Sequence, residues 1–154
     1  MSDTFIANRK EDLKQLGYLL KHKEQVFRAG RQLGLPIGQL FKHDLSKFSP
    51  KEWKPYCEYL VDKQRRSGDY EAFREAVEKD HYPRNKHQVK HWKNLQTMPN
   101  RYQLEALADW YSFNRLHNKT NATFPNWIKQ HLTTLPVTDT TKEMVLKKLG
   151  FKQI

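Results

Sequence analysis

Seven histidines fall in this 154-residue sequence, and their order relative to two aspartates is what suggests chemistry. His22 lies midway along a stretch of helical periodicity, His43-Asp44 closes the next short helical stretch, and Asp109 sits inside a late one. His81, His87 and His91 fall between them. Imidazoles and carboxylates together form a hard-to-borderline donor set suited to Mn, Fe, Co, Ni or Zn. The single cysteine, Cys57, excludes a Cys-rich structural zinc. One histidine on a helix is ordinarily a surface or core residue, and a His-Asp dipeptide arises by chance. The ordered set, with members on separate predicted helices, is what points to metal chemistry.

Other residues take their meaning from this set. Glu105 precedes Asp109 by four and so shares its helix face. It reads either as an acceptor that orients a ligand histidine or as a surface carboxylate. Glu52 stands three residues after Ser49 in Ser49-Pro50-Lys51-Glu52, the spelling of a capping box, and the cap is preferred to a general acid–base role. Lys47, three residues after Asp44, can meet a substrate phosphate as a point charge. Lys23, Arg84 and Asn85 are weaker phosphate or sugar contacts, with a solvated surface as the equal alternative. His87 and His91 are spaced as in metalloprotease helices, but Gln88-Val89-Lys90 supplies no glutamate base, so a peptidase is not expected. His91, His117 and His131 are given no role. Neither a glycine-rich phosphate loop nor a Gly-x-Ser-x-Gly elbow occurs.

The elements that must position these residues are helical. Period-two alternation does not persist, whereas Leu13, Leu16, Leu20, Phe27 and Leu33 mark a face of a first helix over about 9–32. Gly34-Leu35-Pro36 ends it. A short helix over 37–42 delivers His43-Asp44, and a third starts at Ser49-Pro50 and carries Trp53, Tyr56, Cys57 and Leu60. Arg65 to Gly68 reads as a loop, after which Asp69 caps a helix running towards His81. Further helices are expected over 86–95, from Leu104 to near His117, over 126–132, and finally from a Thr140 or Thr141 cap to Gly150. The expectation is an all-α, single-domain helical bundle of six to eight helices, with a motif-bearing core over 9–117 and a helical extension over 124–154.

Lys and Arg total 28 against 17 acidic residues, a formal charge of +11, which favours polyanionic partners. The positive residues are scattered, with short clusters at 63–66 and at Lys147-Lys148, which fits a field around a phosphate pocket better than a basic arm. No apolar run approaches the length of a membrane span, and the N-terminus lacks a secretory pattern. With the lone cysteine this gives an expected cytoplasmic location.

The order His22, His43-Asp44, Asp109 resembles the signature of the HD-domain superfamily of metal-dependent phosphohydrolases. Insertion of His81 and His87 resembles its binuclear subgroups, although their His-His pair is His87-Gln88 here. More narrowly, His43-Asp44-Leu45-Ser46-Lys47-Phe48, Asn85-Lys86-His87, Trp92 and Glu105 with Asp109-Trp110 are similar to a small family of phage and bacterial proteins over about residues 18–115. The resemblance implies an HD-like helical fold. It implies a first metal held by His22, His43, Asp44 and Asp109, and a second bridged by Asp44 to His81 and His87. Asp44, Lys47 and Glu105 are then the residues expected to serve catalysis. The function implied is hydrolysis of a nucleotide or other small phosphorylated compound, with one or two transition-metal ions. The alternative is a non-catalytic protein on the same scaffold that binds a nucleotide, nucleic acid or a host factor, and an aromatic-rich helical surface leaves room for a homodimer.

Overall fold

The computed structural model describes residues 3–56 and 70–152, and among these there are helices and no strands. The α-helices are α1 (Asp3–Gln32), α2 (Ile37–Lys42), α3 (Pro50–Tyr56), α4 (Tyr70–Glu75), α5 (Tyr82–Arg84), α6 (Asn100–Leu116), α7 (Phe124–His131) and α8 (Asp139–Leu149). A π-helical turn (Ala76–His81) joins α4 to α5, and 3-10 turns cover Leu45–Phe48, Val89–His91 and Leu95–Thr97. No helix among the described residues is long and apolar enough to cross a membrane. Cys57, Leu60, the 63–66 cluster, the loop over 65–68 and the Asp69 cap lie outside the described residues.

The chain forms two compact units, each discontinuous in sequence: Met1–Lys21 with Asp44–Asn85, and His22–His43 with Lys86–Ile154. It passes from one to the other at three peptide bonds, and candidate ligands stand beside each: His22, then His43 and Asp44, then His87 one residue beyond the last.

In the first unit α3 is tied to α1 by the Trp53 indole, which donates to Asp12 Oδ1 at 2.8 Å. Buried Tyr56 meets Phe73 edge-on at 5.1 Å and the His81 ring at 5.9 Å. Phe73 and His81 are eight residues apart, and on a regular α-helix the second would sit about 80° off the first. The wider π turn takes up that difference, so both rings reach Tyr56.

The second unit holds the larger core. Val26 and Ala29 of α1, Leu33 just past its end, Leu40 of α2, Leu104, Leu107, Ala108 and Tyr111 of α6, Trp127 and Ile128 of α7, and Val145 of α8 pack into one cluster. The C-terminal helices thus share the core of α6. Gln103 locks this join: its Oε1 accepts from Thr138 N at 2.8 Å and Thr141 Oγ1 at 3.0 Å, while its Nε2 donates to Met98 O at 2.8 Å.

Three local expectations are corrected. The buried stripe of α1 runs Gln15, Leu19, His22, Val26, Ala29 and continues to Leu33 just past its end, leaving Leu13 and Leu20 exposed. Two polar residues on the inward face had shifted the apparent periodicity. Residues 86–95 do not form a helix: Gln88 and Trp92 are extended, the Trp92 indole bonds Lys86 O at 2.8 Å, and Asn94 caps a separate turn. The last helix is capped by Thr138, whose Oγ1 accepts from Thr141 N, so neither Thr140 nor Thr141 is the cap.

Candidate metal centre

In the second unit three donor atoms from three chain segments converge. His22 Nε2 on α1 lies 3.2 Å from His43 Nε2, just past α2, and 3.2 Å from Asp109 Oδ1 on α6. The remaining side, His43 Nε2 to Asp109 Oδ1, is 3.5 Å. Both histidines are buried, and the Asp109 side chain keeps 15% exposure. Local sequence explains each placement. Gly34 takes φ 70° beyond the end of α1, a conformation easy only for glycine, and so turns the chain into α2. The end of α2 is then held by Lys23, whose Nζ donates to Phe41 O at 3.0 Å and His43 O at 2.5 Å.

The partners of the other ring nitrogens fix the tautomers. Ser112 Oγ donates to His22 O at 3.2 Å, which leaves its lone pairs to accept from His22 Nδ1–H at 2.9 Å. His43 Nδ1–H donates to Glu105 Oε1 at 2.8 Å. Gln39 in turn holds Glu105 Oε2 at 2.6 Å. Both Nε2 atoms therefore present lone pairs to each other and to a carboxylate oxygen. Such a convergence of acceptors repels itself unless a cation or a proton sits within it.

Burial works against the Asp109 carboxylate, yet hydrogen bonds from His22 and His43 and the charges of His87 and His43 hold its pKa well below the usual range. Burial opposes the Glu105 carboxylate too, but hydrogen bonds from His43 and His87 bring its pKa to about 2. His87 stands beside both, with Nδ1 3.4 Å from Glu105 Oε1, Nε2 3.7 Å from Asp109 Oδ2, and its ring 4.3 Å from that of His43. His43, His87 and Glu105 offer donor atoms within 4.8 Å of one another. These buried groups can hold a metal ion.

The first unit carries its own set. His81 Nε2 is 3.6 Å from Asp44 Oδ1, and His81 Nδ1–H donates to Glu52 Oε2 at 3.0 Å. Asn85 spends its amide hydrogens on His81 O at 2.8 Å and Ser46 Oγ at 2.7 Å, which leaves His81 Nδ1 to Glu52. Glu52 is thus a fully buried partner of His81, and its side chain is not the reciprocal half of a capping box at Ser49. The helix begins at Pro50 as its sequence predicts, but the Glu52 carboxylate goes to His81 and not to the helix end.

Lys47 Nζ bonds Asp44 Oδ2 at 2.5 Å and lies over the Tyr56 ring. Lys23 is engaged by carbonyls, Asn85 by Ser46 and His81, and Arg84 by Asp80 and Ser49 near the surface. The side chains of Lys23 and Asn85 are accordingly part of the scaffold around the histidines. Ser112 and Gln39 were missed by the sequence reading. The available signal for Ser112 was its place three residues after Asp109 on the same helix face.

Asp44 takes φ 53°, a left-handed conformation that Asp and Asn tolerate better than other side chains. Asp44→Asn and Asp44→Ala both remove the charge, so their difference reads the backbone. The alanine protein is expected to be less stable than the asparagine protein by about 1 kcal/mol in urea unfolding.

Residues 11–150 match the sequence pattern described as Family of unknown function (DUF5662). The chain belongs to that family. No curated protein and no solved structure matches the chain. Every donor of this DUF5662 site, from His22 to Asp109, falls inside the matched stretch.

Proposed function

We propose that this DUF5662 protein is a metal-dependent phosphohydrolase of the HD-domain type, acting on a nucleotide or another phosphorylated compound. The observation that carries the reading is the convergence of His22 Nε2, His43 Nε2 and Asp109 Oδ1, with each imidazole set in the ligating tautomer from behind. Two imidazoles and one carboxylate suit Mn, Fe, Co, Ni or Zn and leave coordination positions open. A metal bound there brings the pKa of a water towards neutrality and polarises a phosphoryl oxygen.

The chain's own residues do the rest. Ser112 and Glu105 keep the rings from rotating, and Gln39 keeps Glu105 from following the solvent. Lys23 fixes the carbonyl of His43 and so the origin of its side chain. The partial exposure of Asp109 gives the donor set a wet side from which a phosphate can approach. The first unit's Asp44 and His81, with Glu52 behind the ring, are the donors for a second ion. The net charge of +11 favours anionic substrates over neutral ones.

The test is hydrolysis of p-nitrophenyl phosphate and a panel of nucleoside phosphates by protein loaded with each metal in turn. At least one pairing should turn over, and His22→Ala should reduce the rate by about a hundredfold or more while far-UV circular dichroism stays unchanged. Equal turnover in His22→Ala, or none with any metal, would sink the reading.

A further inference from the structure

Above the donor set on α6 lies a feature the metal reading leaves unused. Tyr102, Glu105 and Asp109 fall at i, i+3 and i+7, so they share one helix face, with Tyr102 about 10 Å along the axis from Asp109. Tyr102 is half-buried, as is Trp92, and their rings meet at 5.7 Å with a 34° tilt. His91 adds a third ring, edge-on to Trp92 at 5.1 Å. Two cations lie against the Tyr102 ring and others stand nearby in sequence. Arg101 lies 4.6 Å from the Tyr102 ring centroid and Lys86 5.8 Å from it, and Lys90 and Lys93 are exposed on the same short stretch as Trp92. No acidic residue occurs between Lys86 and Glu105.

Local structure explains why these rings remain at the surface. The stretch over 86–97 is made of isolated 3-10 turns, so no regular apolar face exists to draw Trp92 inward. Its indole N–H is instead anchored on Lys86 O, which leaves the ring edge-fixed and partly open. Two half-open aromatic rings, with Arg101 and Lys86 against one of them and Lys90 and Lys93 exposed in the stretch that carries the other, match the requirements of a strand of bases: π-faces for stacking and positive charge for its phosphates. A mononucleotide is instead usually enclosed in a concave pocket, and it offers one phosphate group rather than a row.

We propose that the Trp92–Tyr102 platform binds single-stranded nucleic acid. Bases stack on Trp92 and Tyr102, and Lys86, Lys90, Lys93 and Arg101 meet the backbone phosphates. Binding here does not depend on the metal reading, and the experiment is run in chelator so that the two stand or fall separately.

The measurement is fluorescence anisotropy of a labelled twelve-nucleotide oligothymidylate across a salt series. Trp92→Ala and Tyr102→Ala are each expected to weaken binding by about ten- to a hundredfold, while Trp92→Phe and Tyr102→Phe, which keep a ring, retain most of it. The phenylalanine proteins also answer any loss of fold in the alanine ones. Lys90→Glu with Lys93→Glu should lower the slope of log affinity against log salt by about 1.4, some 0.7 per phosphate contact. Lys147→Glu with Lys148→Glu makes the same charge change on α8 and should leave the affinity within about twofold. The proposal is overturned by equal losses in the two lysine pairs, by alanine proteins that bind normally, or by binding of thymidine monophosphate as tight as that of the oligomer.

Discussion

The Asp109→Ala protein is expected to retain about a tenth or less of the divalent metal carried by the unsubstituted chain after purification and reconstitution. Asp109 supplies the only carboxylate among the three converging donors, and removing it leaves two neutral imidazoles with no charge to oppose the cation. His43→Ala should do the same by taking the central donor. Elemental mass spectrometry reads the result directly.

Stability gives an independent measure of the same site. A ligand present at a thousand times its dissociation constant adds about 4 kcal/mol to the folded state. For a chain of this size that is a shift of about 10 °C in Tm between metal-replete and chelated protein. The Asp109→Ala protein should show no such shift. Equal metal contents, or an equal chelator shift in both proteins, would mean that the convergence holds protons and has no metal role.

The second large effect belongs to the core. Trp127 is 1% exposed and packs on Tyr111 at 5.7 Å and on Phe124 at 6.4 Å, with the His131 ring stacked at 5.0 Å. Trp127→Ala should cost about 3–5 kcal/mol, the range for emptying a large aromatic site in a packed interior. Trp127→Phe should cost much less than its lost volume suggests. The indole N–H has no hydrogen-bond partner among the described residues, so phenylalanine removes a buried, unsatisfied donor as well as part of a ring. Urea unfolding of the two proteins separates these contributions. Because α7 shares its core with α6, loosening at Trp127 should also be felt along the helix that carries Glu105 and Asp109.

The sequence made some of this legible and not the rest, for identifiable reasons. The bounds of α2 are the 37–42 predicted from Pro36 and the His43-Asp44 pair, because Pro and Gly punctuation acts locally. The donors His22, His43 and Asp109 stood out as members of an ordered set on separate predicted helices. Helix spacing put Glu105 on the face of Asp109 and left it as either an acceptor for a ligand histidine or a surface carboxylate, and the contact with His43 decides for the first. Roles decided by tertiary contact did not follow. Glu52 satisfies a capping pattern and is nevertheless drawn to His81, since a buried imidazole N–H needs an acceptor more than an exposed helix end does. Ser112 and Gln39 carry ordinary side chains whose importance comes from what lies opposite them. The segment 86–97 misled because its apolar and basic residues mimic a helical rhythm while the backbone spends its hydrogen bonds on short turns.

The π turn before His81 has a consequence for how relatives should be compared. Its i→i+5 bonding is what a helix adopts when it has absorbed one extra residue without breaking. Losing a single residue between Ala76 and Asp80 would restore an ordinary α-helix and leave Phe73 and His81 seven positions apart, about 20° off one another around the axis. Phe73 and His81 would then still share the face that meets Tyr56. A one-residue gap in this stretch, which in an ordinary helix would turn a side chain to another face, would therefore mark a family member that had lost the π turn and kept the histidine at its post.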